Sequence, residues 1–227
     1  MICKSLATLL LLLGAFPVAA QQVQPENPKS EDELLLRPVD DLSSSPLSVN
    51  LAIQTAILGA GTPGGAVIMQ GCEQPSDSSV RPRPGSTLRE LLEDIVTADP
   101  DYRWEVNAGV VNLLPIKGVP DLLRLEIGEF DSGDVRDVTT AKTFLFALPE
   151  VRKREAELDF DQAVLGSGPY GVPPPGTPPP PKLDVRLHNV TLLEALNALV
   201  RAHKQGLWIY YETHCESTNH FDIKFTE

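Results

Sequence analysis

The sequence predicts an α+β fold built from two small strand–helix–hairpin units, an internal duplication that packs helices on mainly antiparallel sheet. Three observations carry this expectation. Residues 87–96 read TLRELLEDIV and residues 191–200 read TLLEALNALV. At one constant offset Thr87 matches Thr191, Glu90 matches Glu194, Leu92 matches Leu196 and Trp104 matches Trp208. After each helix the polarity switches to an alternating pattern, with YRWEV and VVNLLP after the first and LWIYY and FDIKF after the second. A change from a 3.6-residue to a two-residue period marks a helix giving way to strands.

Each element has its own physical signal. Val49, Ala52, Ile53, Ala56 and Ile57 recur at helical spacing within 47–58, and GAGTPGG ends that helix. AVIMQGC (66–72) reads as a short buried strand, and 73–85 as a polar, proline-bearing loop. Thr87 and Glu90 form a capping box, in which the hydroxyl accepts from the first-turn backbone and the carboxylate reaches back. Leu88, Leu91, Leu92, Ile95 and Val96 give that helix one apolar face. Tyr102, Trp104 and Val106 alternate on one side of a strand, and Asn107-Ala108-Gly109 turns the chain.

In the second unit, residues 183–187 alternate as a strand. Thr191 and Glu194 repeat the capping box. Leu192, Ala195, Leu196, Leu199 and Val200 repeat the stripe, and Gly206 stops the helix. Residues 207–211 and 221–225 form the closing hairpin, joined by a polar loop, THCESTNH. Between the units, LLRLEIGEF reads as a strand, and the helical pattern from Val138 is interrupted at Pro149.

The organisation expected is therefore a signal peptide over 1–20, a flexible leader over 21–45 and a first unit over 46–118. A connecting strand and helix over 119–166, a Pro/Gly-rich linker over 167–181 and a second unit over 182–227 follow. Lys4, the apolar stretch after it, and small residues at Val18 and Ala20 place signal cleavage between Ala20 and Gln21. The chain has a formal net charge of −12, which becomes −13 when Lys4 leaves with the signal. Such acidity disfavours nucleic acid, whose phosphates demand basic patches, so no nucleic-acid partner is expected. No later segment is apolar over the length of a membrane span. Cys72 and Cys215 remain as an even pair, and an exported chain is expected to oxidise them to a disulfide.

A strand, then STLRELLEDIV or LHNVTLLEALNALVRAH, then an aromatic hairpin strand resembles the short N-terminal domain (STN) of secretins and TonB-dependent receptors. The resemblance covers both units and implies a bacterial cell-envelope protein with a small α+β fold that docks other proteins. No barrel or secretin segment is expected after the second unit, so only the fold and the protein-binding tendency are carried over.

The function expected is an exported, non-enzymatic protein-interaction module, with an envelope protein as partner and no cofactor. Two alternatives stand beside it. His188, His203, His214 and His220 cluster in sequence with Cys215, so a metal-dependent enzyme or envelope hydrolase would use them. A secreted inhibitor or ligand carrier is the other. Nucleophile motifs of the G-x-S-x-G, H-E-x-x-H and S-x-x-K types are absent. Asp131, Asp134 and Asp137 read as an acidic surface turn, and Trp104 and Trp208 as core aromatics.

Overall fold

The computed structural model describes residues 30–40, 45–71, 78–160, 182–204, 206–215 and 218–226. In chain order the elements are α1 (Glu31–Leu35), β1 (Leu47–Ser48), α2 (Val49–Gly59), β2 (Gly64–Gln70), β3 (Ser79–Val80) and α3 (Leu88–Ala98). Then come β4 (Tyr102–Asn107), β5 (Val110–Pro115), β6 (Glu126–Asp131), α4 (Val138–Phe146) and α5 (Pro149–Glu157). The last are β7 (Arg186–Thr191), α6 (Leu192–His203), β8 (Leu207–Cys215) and β9 (Thr218–Thr226).

The fold is α+β, and antiparallel pairings outnumber parallel ones. One sheet dominates. Its order is β4-β5-β2-β8-β9, so the two hairpins flank β2, which runs parallel to both of its neighbours. The units expected over 46–118 and 182–227 thus share a single sheet. Two short sheets, β1-β3 and β6-β7, lie outside it.

Strand directions explain how two similar helix–hairpin units fit into one sheet. β4 opposes β5, β5 parallels β2, and β2 parallels β8, so β4 and β8 run in opposite directions. The hairpins nevertheless keep the same order across the sheet. A half-turn about an axis lying in the sheet, across the strands, relates two such hairpins, and that rotation exchanges the faces. Their helices must then lie on opposite sides. The buried residues show this. Ile53 and Ile57 of α2 and Leu88, Leu91, Leu92 and Ile95 of α3 pack on Ala66, Val111, Leu113, Leu207 and Ile209. Leu145 of α4, Val151 of α5 and Leu192, Leu196, Leu199 and Val200 of α6 pack on Val67, Val110, Leu114, Trp208 and Tyr210. Adjacent strand residues alternate between the two cores because side chains in a strand point to opposite faces.

Both capping boxes form. Glu90 N donates to Thr87 Oγ1 at 3.3 Å, and Thr87 N donates back to Glu90 Oε2 at 2.8 Å. Glu194 N to Thr191 Oγ1 is 3.2 Å and Thr191 N to Glu194 Oε2 is 2.7 Å. Pro149 sits in the first turn of α5, where its missing N–H is harmless, so it separates α4 from α5 as expected.

Four expectations are corrected. Residues 30–40 of the leader are folded: Leu34, Leu35 and Val39 are buried, and Val39 N donates to Ser86 O at 3.0 Å. Their apolar side chains cover the exposed end of the α3 core. β2 begins at Gly64, not Ala66, because Gly64 and Gly65 already pair with Leu207 and Trp208. The strand before α6 is Arg186–Thr191, and it pairs with β6 instead of the large sheet. The THCESTNH segment is mostly strand, since Thr213, His214 and Cys215 pair with His220, Asn219 and Thr218. The linker expected over 167–181 lies outside the described residues.

Candidate functional site

The margins of the large sheet are where its backbone can meet another molecule, and the two margins differ. Which groups point outward follows from the turns. Ala108 and Gly109 both have positive φ, 49° and 79°, which makes a two-residue hairpin turn. Residues flanking such a turn exchange both hydrogen bonds, so Asn107, and with it Glu105 and Arg103, bond across to β5. Tyr102, Trp104 and Val106 then direct N–H and C=O away from the sheet. The phase is confirmed on the neighbouring strand. Val111, opposite Val106, turns its N–H to Pro63 O at 3.1 Å, on the β2 side.

Among the described residues, no strand pairs with the outer side of β4. Tyr102 N–H is taken by Asp99 O at 3.3 Å. The groups of Trp104 and Val106 have no such intrachain bond among those of the described residues. Trp104 is partly buried against the α3 core, with the Arg89 guanidinium 6.0 Å from its ring centroid. That distance gives a weak cation–π contact. On the other face Arg103 and Glu105 are ion-paired, and both are exposed by more than a third.

The β9 margin is obstructed. Gly206 C=O accepts from Gly64 N–H, so alternate residues of β8 face β2, and Phe221 and Ile223 of β9 face outward. Phe160 bridges to Asn219 on that side. Lys142, buried on α4, donates from Nζ to Ile223 O at 3.0 Å. Burial lowers the Lys142 pKa, and the Asp222 charge opposes that shift. Sequence reading missed Lys142. The only signal was a lysine within the apolar stripe of Val138, Ala141 and Leu145.

No family model matches the chain, and no curated protein or solved structure matches it either. The geometry alone therefore weighs the other candidate residues. His188 lies on β7 opposite Glu129, and His203 ends α6. His214 and His220 occupy adjoining strands, but His214 registers with Asn219 and His220 with Thr213, so their side chains project from opposite faces. Among the described residues no group of three or more His, Cys, Asp or Glu side chains could hold a metal ion.

His214 belongs instead to a polar chain beneath the β8–β9 hairpin. Tyr210 Oη donates to Glu212 Oε2 at 2.5 Å, the other Glu212 oxygen contacts His214 Nε2, and His214 Nδ1 lies 3.1 Å from Asn219 Oδ1. Two acceptors against one imidazole favour the doubly protonated ring. Burial alone would lower its pKa, but the bonds to Asn219 and Glu212 and the Glu212 charge outweigh that and raise it. Burial, with Glu212 beside it, pushes the Tyr210 pKa far upward. Both His214 ring nitrogens are engaged, which describes a cation balancing a buried carboxylate better than a general base.

The remaining expectations resolve one by one. Cys215 is in a disulfide, whose partner lies outside the described residues. Cys72 and the cleavage pair Ala20 and Gln21 also lie outside them. Asp137 caps α4 by accepting from Thr140 N at 2.7 Å, Asp131 accepts from Gly133 N at 2.7 Å, and Asp134 pairs with Lys182. The bond and charge of Lys182 hold the Asp134 pKa down. A cleft of about 360 Å³ beside α3 is lined by Val80, Arg81, Arg83 and Asp94, with Arg83 and Asp94 3.4 Å apart on its wall. Among the described residues no helix is long and apolar enough to cross a membrane.

Proposed function

We propose that this chain is an exported, non-enzymatic protein-interaction module that binds by adding a strand to the outer margin of β4. The observation that carries the reading is the pair of outward-facing backbone units at Trp104 and Val106, beside a margin on β9 that is plugged. An extended segment docking there gains main-chain hydrogen bonds, while Trp104 on one face and Arg103 with Glu105 on the other supply selectivity. Arg103 and Glu105 also act as charged guards that discourage indiscriminate pairing.

Export is supported by the signal-like N-terminal residues and by the disulfide at Cys215, because such bonds persist in oxidising compartments. We assign Cys72 as its partner. Cys72 and Cys215 have the same separation in sequence as the registered pair Gln70 and Thr213. Peptide mapping without reductant tests this, and a Cys3–Cys215 peptide would refute it. The STN-like resemblance supports an envelope setting and a docking role.

The test is capture from a cell-envelope extract with a photo-reactive residue at Asp101, exposed just before β4, comparing the native strand with Val106→Pro. Proline there removes an outward N–H and leaves the ladder to β5 intact. Crosslinked protein that disappears in the proline variant, with circular dichroism unchanged, is the expected result. Capture that survives it would remove β4 as the binding edge.

A further inference from the structure

We infer that the occupant of the β4 margin is β4 of a second copy of this chain. This rests on the strand-addition reading above and names its partner. The strand reads Tyr102-Arg103-Trp104-Glu105-Val106, and its chemistry is self-complementary about Trp104. An antiparallel partner related by a two-fold axis must place some residue opposite itself. The outward groups belong to Tyr102, Trp104 and Val106, so an axis at Trp104 makes Trp104 the hydrogen-bonded centre.

That register puts Arg103 of each copy opposite Glu105 of the other, and Val106 opposite Tyr102. Both Trp104 units exchange N–H···O=C bonds. Each Val106 N–H reaches a Tyr102 carbonyl, and the Tyr102 N–H already bonded to Asp99 is not needed. The alternatives are worse, since an axis at Tyr102 would need the N–H that Asp99 O already accepts. An axis at Arg103 or Glu105 sets like charges face to face, and an axis at Val106 runs one strand into the partner's Ala108-Gly109 turn. Opposite charges directly across a ladder attract and like charges repel.

On the α3 face the two Trp104 rings become neighbours, each with its own Arg89 nearby. On the other face the existing Arg103–Glu105 pair of one strand joins that of its twin. Two acidic chains repel at long range, but at 0.15 M salt charges beyond ~8 Å are largely screened. The local alternation of charge at β4 then decides the contact.

Sedimentation at 0.15 M salt, over a concentration series of the chain isolated after export, tests this. The expected result is a monomer–dimer equilibrium whose dimer carries blue-shifted Trp104 emission. Arg103→Glu should weaken the dimer about tenfold or more, because two attractive pairs become repulsive. Arg103→Glu combined with Glu105→Arg restores the complementary pattern and should restore the dimer. The double variant also guards against misreading a folding defect in the single one. A monomer at all concentrations overturns the proposal, as does a dimer indifferent to Arg103→Glu. If the chain stays monomeric while Val106→Pro still abolishes capture of another protein, the strand-addition reading stands and only the second copy is lost.

Discussion

The β4–β5 and β8–β9 hairpins each follow a helix with the same capping box, and each carries a tryptophan at the same offset. Their surroundings differ. Trp208 has no exposed surface, whereas Trp104 is only partly buried at the sheet margin. The difference comes from the half-turn that relates the units. It leaves β4 outermost in one hairpin and sets β8 beside β2 in the other. The same local signature therefore makes a docking margin in one place and the centre of a core in the other. Trp208 also gains what a core aromatic needs, because its Nε1 donates to Asn197 Oδ1 at 2.9 Å.

The sharpest way to break this contrast is to truncate both rings. Trp208→Ala should destabilise the fold by about 3–5 kcal/mol, by the cavity and by leaving Asn197 unpaired. Trp104→Ala should cost less, about 2 kcal/mol, because part of its ring surface already meets solvent at the margin. Urea unfolding of the two variants measures both, and equal losses would mean that the hairpins are equivalent after all.

A second probe is Gly65. A Cβ added there would lie 2.2 Å from the Trp208 ring, so β2 has room for that indole only because it has no side chain at this position. Gly65→Ala should cost about 1–3 kcal/mol by overpacking. Most of that loss should vanish when Trp208 is already leucine, which a double-mutant cycle on Tm would reveal as strong coupling.

The caps probe what the units share. Thr87→Ala and Thr191→Ala should each cost about 1 kcal/mol, with little difference between them. A large asymmetry would show that tertiary setting reaches even the helix starts.

The smallest expected effect belongs to the second hairpin alone. The pKa of His214 is raised in the fold, so its stabilising share is complete below the ordinary histidine value of about 6.5. It is lost as pH rises through the raised value, leaving Glu212 buried with Tyr210 as its donor. With 55% of the His214 side chain exposed, screening limits the effect to under ~1 kcal/mol. The Tm difference between the native chain and His214→Gln should shrink as pH rises. A gap that widens instead would contradict the ion pair.

Much of this architecture is legible from local chemistry. Thr87 with Glu90 and Thr191 with Glu194 announce two helix starts because the capping box needs only residues close in sequence. Pro149 divides α4 from α5 for an equally local reason. What escaped depends on distant partners. Gly64 and Gly65 look like a helix breaker until Ile57 is seen packed against the first and Trp208 against the second. Leu34 and Leu35 look like part of a polar leader until the α3 core they cover is known. The β4 margin itself was hidden, since nothing within YRWEV says which strand will end up outermost. His214 and His220 are near in sequence, yet they share no face of the hairpin. Adjacent strands bring residues close while their parity sends side chains to different faces.

The parallel placement of β8 beside β2 has a kinetic consequence. Gly64 must wait for Leu207, and Gln70 for Thr213, before the middle of the sheet can close. Helix α3 and the β4–β5 hairpin can form early from near neighbours, but the central pairing spans most of the chain. Such non-local contacts make folding slow and leave the β8 side of nascent β2 unpaired during synthesis. A carrier that shields β2 over that interval would raise the yield of folded chain without touching the finished protein.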